Sequence, residues 1–156
     1  YFLAKLTDRD APAAARTMAL RAIPATHAKL KAETLIELLK QEDPAFRVEV
    51  LRALKDRAEA KAAPAVREVA KGEKQPPTVR AQAVLTLSAL NEGADGLIAL
   101  AIDPSPTVRH EAIRALANAN LTPTQFADLV NGLRRQGKDN NAEALARVRG
   151  NPMKHK

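Results

Sequence analysis

His27, His110 and His155 are the first residues to test for chemistry, because imidazole binds metals and moves protons near neutral pH. They lie far apart, and no His-x-x-x-His or His/Glu cluster gives them ligand spacing. The chain has no cysteine, which removes disulfides, thiolate metal sites, a cysteine nucleophile and covalently attached haem within this stretch. Ser88 and Ser105 are the only serines, and neither has a nucleophile-elbow context. No glycine-rich phosphate loop is present. Glu33, Glu37, Glu49, Asp56 and Glu59 sit among Lys and Arg at helical spacing, which fits a solvated, salt-bridged face better than a catalytic pair. His110 follows Arg109 and lies about 100° round a helix from it, on the surface. The expectation is a non-enzyme with no catalytic, cofactor or metal residues. Four regularly spaced arginines remain: Arg16, Arg47, Arg80 and Arg109. They could bind anions on a concave face, or they could hold a structure together.

Aligning the chain on these arginines reveals an internal repeat. Three residues later stand Ala19, Val50, Ala83 and Ala112, and four later Leu20, Leu51, Val84 and Ile113. Seven later stand Ile23, Leu54, Leu87 and Leu116, and one before Ala15, Phe46, Val79 and Val108. At 100° per residue these columns form one apolar arc that contains the arginine. Its stem can pack on a neighbouring helix while the guanidinium reaches a polar partner. A charge half-buried in this way requires one.

The elements around these columns are helices. Pro44, Pro77 and Pro106 suit the first helical position, where a missing N–H costs nothing, and Asp43 and Ser105 suit N-caps. Each helix is followed by a break and a second apolar-periodic stretch. Ile23–Thr26 leads to Leu30, Leu35, Leu38 and Leu39; Pro64 restarts a helix with Val66 and Val69 that Gly72 ends. Residues 91–93 stop the third helix before residues 97–102, and Thr122-Pro123-Thr124-Gln125 forms a capping box before Phe126, Leu129, Val130 and Leu133. A short terminal helix runs from Ala142 to Arg149, with Gly150 and Pro152 as its stop. No stretch alternates with period two, and no apolar run approaches the roughly 20 residues of a membrane span.

DPAFRVEVLRAL (43–54), QPPTVRAQAVLTL (75–87) and DPSPTVRHEAIRAL (103–116) resemble the first helices of HEAT repeats, in the short bacterial variety related to phycobilisome lyases. The resemblance implies an all-α, right-handed α-solenoid of about four to five helical hairpins. The expected organisation is residues 1–6 as the end of a preceding repeat helix, four repeats over 7–133 (7–41, 42–72, 73–102 and 103–133), a terminal helix over 134–149 and a basic tail over 150–156. The resemblance also suggests an Asp–Arg ladder, with Asp43 and Asp103 placed near a neighbouring repeat's arginine. It implies a non-catalytic scaffold that binds a protein partner or another domain of its own chain. Stacked second helices would line the concave face, making Lys31, Glu33, Arg67 and Lys71 the expected contacts.

Charge and the two ends add context. Net charge is +7, and five of that surplus falls in residues 134–156. The remaining surplus of two over residues 1–133 is a poor footprint for phosphate backbones, and the chain has no tryptophan, which disfavours a nucleic-acid-binding HEAT-like protein. Tyr1-Phe2-Leu3-Ala4-Lys5-Leu6 lacks the charged n-region of a signal peptide and reads as the end of an amphipathic helix in a longer protein. Gly150-Asn151-Pro152-Met153-Lys154-His155-Lys156 is similar to the opening of small c-type cytochrome domains. That resemblance implies a spacer in a larger planctomycete-type haem-binding, dehydrogenase-like protein. Oligomeric state and compartment carry no signal in the sequence.

Overall fold

The computed structural model describes residues 1–91 and 93–149, so the expected tail at 150–156, with His155 and the cytochrome-like phrase, lies outside the described residues. The described residues are all-α and contain no strand, the class expected from the repeats. They fall into two compact units, Tyr1–Glu92 and Gly93–Lys156. The division lies within the third expected repeat.

The first unit contains α1 (Phe2–Thr7), α2 (Ala13–Ala22), α3 (Ala32–Leu38), α4 (Pro44–Asp56), α5 (Ala63–Lys71) and α6 (Pro77–Ala89). Here α1 packs on α2, α2 and α3 pack on α4, and α4 and α5 pack on α6. The second contains α7 (Ala94–Ala101), α8 (Pro106–Ala117), α9 (Pro123–Arg135) and α10 (Asp139–Arg149), with α7 against α8 and α9, and α9 against α10. Every helix is at most 13 residues long, too short to persist alone in water, so burial must hold them.

That burial follows the repeat columns. Val50, Leu51, Leu54, Val79, Ala83, Val84, Leu87, Val108, Ala112 and Leu116 are fully buried, each large one contributing about 1.5–3 kcal/mol. Phe46 is the bulkiest fully buried residue. The pattern overstates the core in places: Ala15, Ile113, Val69 and Phe126 are only half-buried, and Phe2 is exposed. These residues sit at arc edges or chain ends, where fewer neighbours cover them. Thr86, outside the five columns, is fully buried; its hydroxyl donates to the Leu51 carbonyl at 3.0 Å and shares the Gln82 carbonyl, linking α6 to α4.

Helix starts follow the prolines. Pro44, Pro77, Pro106 and Pro123 open α4, α6, α8 and α9, whereas α5 begins at Ala63 after a 3₁₀ turn, Ala60–Ala62. The Thr122–Gln125 capping box forms, with Gln125 N–H donating to Thr122 Oγ1 at 3.2 Å and Thr122 N–H to Gln125 Oε1 at 3.0 Å. Ser105 occupies the N-cap of α8 without a capping side-chain bond. Its loop is held instead by Asp103, whose carboxylate accepts the Ser105 N–H at 2.8 Å.

Two helix ends share one device. After α9, Gly137 adopts φ +67°, Gly137 N–H donates to Arg134 O, and Lys138 N–H donates to Leu133 O at 2.8 Å, a Schellman motif. After α4, Ala58 takes the same role at φ +51°, with Ala58 N–H on Lys55 O and Glu59 N–H on Leu54 O. Gly72 is different: its φ is −66°, but an added Cβ would lie 2.9 Å from Gln75 Cγ. The glycine is needed there for close approach.

Candidate protein-binding surface and the buried arginines

The four arginines occupy the fourth residue of α2, α4, α6 and α8, and all are at least nine-tenths buried. A cation in a first turn opposes its own helix dipole. Each guanidinium is instead directed at oxygen acceptors elsewhere. Arg16 Nη1 donates to Gln41 Oε1 at 3.0 Å, and its guanidinium carbon lies 4.8 Å from the centroid of the Phe46 ring, a cation–π contact. Arg47 Nη1 donates to Gln75 Oε1. Both glutamines lie in the loop that launches the next first helix, three residues before Pro44 and two before Pro77. Gly72 makes room for Gln75 in this position.

Arg80 Nε donates to the Ala70 carbonyl at 2.8 Å, in the last turn of α5, where a cation complements the helix's negative end. Arg109 Nη1 donates to the Asp103 and Pro104 carbonyls at 2.8 and 3.3 Å. The Nε groups of Arg16, Arg47 and Arg109 are buried without a hydrogen-bond partner.

Of the two aspartates expected beside the arginines, Asp43 caps α4 by accepting the Phe46 N–H at 2.6 Å. Asp103 is buried, with its carbonyl on Arg109 and its carboxylate on Ser105 N. The glutamine acceptors escaped sequence reasoning because an amide looks like any solvated side chain until loop geometry aims it inward.

The expected contact residues lie on second helices of the first unit. Lys31 is exposed at the N-cap of α3 and Glu33 is exposed in its first turn; Lys71 is exposed at the end of α5, while Arg67 is half-buried. Glu33 borders a groove of about 410 Å³ whose α3 wall is completed by Thr34, Glu37 and Leu38, with Arg9 and Arg16 opposite. Lys40 hydrogen-bonds Glu37 at 2.7 Å and holds its carboxyl below the ordinary value, with Arg9 adding to the effect.

A second groove, about 340 Å³, lies between α2 and α4 over Leu20, Ile23 and Leu30. Its rim is a charge network. Arg21 grips Glu49 through two hydrogen bonds of 3.0 and 2.7 Å, and Arg52 reaches the same carboxylate at 2.7 Å. The Arg21 hydrogen bond, then the charges of Arg21 and Arg52, lower the Glu49 pKa against the opposing effect of burial. Arg57 donates to the Ala25 carbonyl across the same groove. The surface at both grooves can form salt bridges and hydrogen bonds over an apolar floor.

Among the described residues, no group of three or more His, Asp or Glu is placed to hold a metal, and no helix is long and apolar enough to cross a membrane. A family model for HEAT repeats matches residues 2–88, more than half of the 156-residue chain. No curated protein matches it.

Proposed function

Because the chain belongs to the HEAT-repeat family, whose repeats generally serve as protein-interaction scaffolds, we propose that it is a non-catalytic scaffold for a protein partner or an adjacent domain of its own chain. The α3 groove carries this reading. It joins exposed Glu33 and Glu37 and the apolar Leu38 of a second helix to the exposed cation Arg9, with buried Arg16 behind them. That mixture suits the polar rim and apolar centre of a protein contact. Lys31, Glu33, Arg67 and Lys71 are the proposed contacts. Arg16, Arg47, Arg80 and Arg109, together with Asp43 and Asp103, are proposed to set stacking register and to make no contact with the protein partner.

A photo-crosslinking residue at Thr34 tests this in cells that make the protein. Covalent capture of one defined protein or of a flanking domain is expected from Thr34, and none from exposed Met18 on α2. Equal labelling at both positions, or no product at Thr34 and at Arg67, would overturn the reading.

A further inference from the structure

In the second unit the arginine pattern ends, and a cavity stands where it ends. Helix α10 places fully buried Ala142 at its fourth residue, the position of Arg47 in α4, Arg80 in α6 and Arg109 in α8. The loop before α10 also departs from the pattern. The glutamine positions three and two residues before α4 and α6 correspond here to exposed Gln136 and to Gly137, which has no side chain. Arg109 therefore meets no amide of the kind that Arg16 and Arg47 meet, and its Nη1 turns to carbonyls of its own loop. What remains is a cavity of about 310 Å³ bordered by Arg109 and the start of α10.

We propose that this cavity binds a phosphate-class oxyanion. Arg109 is 5% exposed, its Nε is buried without a hydrogen-bond partner, and a guanidinium cannot shed its charge. Lys138 brings a second cation, and His110 and the amides of Asn140 and Asn141 bring further donors. Asp139 is the one carboxylate of the lining, so the balance is positive. Helix α10 is 11 residues long; the Asn141 N–H is taken by the Lys138 carbonyl at 3.0 Å, whereas the N–H groups of Asp139 and Asn140 have no intrahelical acceptor, which favours an anion at that end.

Gly137 holds this arrangement together. Its left-handed conformation closes the Schellman motif that places Lys138 at the head of α10. The cavity is large enough for a phosphate with its residual hydration. A lining with several donors, drawn from Arg109, His110, Lys138, Asn140 and Asn141, suits a tetrahedral ion with several oxygens better than a planar carboxylate.

The test is a ¹H–¹⁵N titration of the full chain with inorganic phosphate at constant ionic strength, chloride being the exchanged anion. Saturable shifts are expected at Gly137, Asn140 and Asn141, with weaker response to acetate. Lys138→Glu reverses one charge at the cavity and should weaken phosphate binding about tenfold or more. Asn140→Ala, at an exposed position, should weaken it less and leaves the fold intact by thermal melt. O-phosphoserine is a second probe: binding tighter than inorganic phosphate would place the ligand on a modified side chain, and weaker binding would identify the free ion. Shifts that chloride reproduces, or an affinity that Lys138→Glu leaves unchanged, would overturn the proposal. Crosslinking at α3 concerns the other unit, so the two readings fail independently.

Discussion

Replacing Arg16 with alanine isolates one buried guanidinium and its partners. The variant loses a charge-assisted hydrogen bond to Gln41 of 3.0 Å, worth about 1.5–3 kcal/mol. It also loses the contact with the Phe46 ring at 4.8 Å, about 1 kcal/mol, and the packing of the arginine stem. Against this, removing the buried, unpartnered Nε recovers about 1–3 kcal/mol of desolvation. The balance is a destabilisation of about 2 kcal/mol. Gln41→Ala should cost about 1–3 kcal/mol because it strands a buried cation, and the double variant should fall short of the sum by about 1–2 kcal/mol. Arg16→Met keeps the stem and removes the charge, so it should recover most of the loss, as apolar replacements of buried ions commonly do. Urea unfolding followed by circular dichroism reads all four variants. If Arg16→Ala and Gln41→Ala each changed stability by less than about 0.5 kcal/mol, or their effects simply added, the pair would not be a structural contact and the reasoning would be refuted.

Ala58→Gly should stabilise the protein by about 0.5–1 kcal/mol, read as a rise in melting temperature, because alanine at φ +51° is strained where glycine is free. Glu49→Gln should cost about 1 kcal/mol at neutral pH by breaking the Arg21 grip. Since the folded-state pKa of Glu49 is lowered, its contribution is complete above the ordinary carboxyl value, about 4.3, and is lost as pH falls through the folded value. Wild type should therefore lose more stability than Glu49→Gln between about pH 5 and 3, in parallel denaturant titrations. Thr122→Ala removes the acceptor of the α9 capping box and should lower stability by about 1 kcal/mol, with faster amide exchange confined to the first turn of α9.

The helices and most of the core were legible because period and proline placement are local signals. Arg16, Arg47, Arg80 and Arg109 announced their burial by standing inside an apolar arc. Their partners were not legible, since Gln41 and Gln75 become acceptors only when a loop turns them inward and Gly72 leaves space. Ala58 hid a left-handed turn, because the sequence carries no glycine or asparagine there to mark it. Thr86 hid a buried tie, because its hydroxyl finds acceptors on two helices that only the packing brings together. Buried Ala142 at the fourth residue of α10 stands where four earlier helices carry arginine, so an alignment on arginine passes over it. The proposed contacts on α3 and α5 rested on the resemblance to a family and on exposure, which chemistry alone does not rank.

The rung from Arg16 pins the point at which the next hairpin starts, through Gln41 in the entry loop and Phe46 in the first turn of α4. Arg47 does the same for α6 through Gln75. The first two hairpins thus each carry a donor whose acceptor lies at the junction with the next, which makes that pair of junctions alike. A copy inserted at residue 42 would find a bond waiting on both sides, while one inserted within a hairpin would separate a donor from its acceptor. The chemistry that fixes alignment therefore also marks where such a chain can grow.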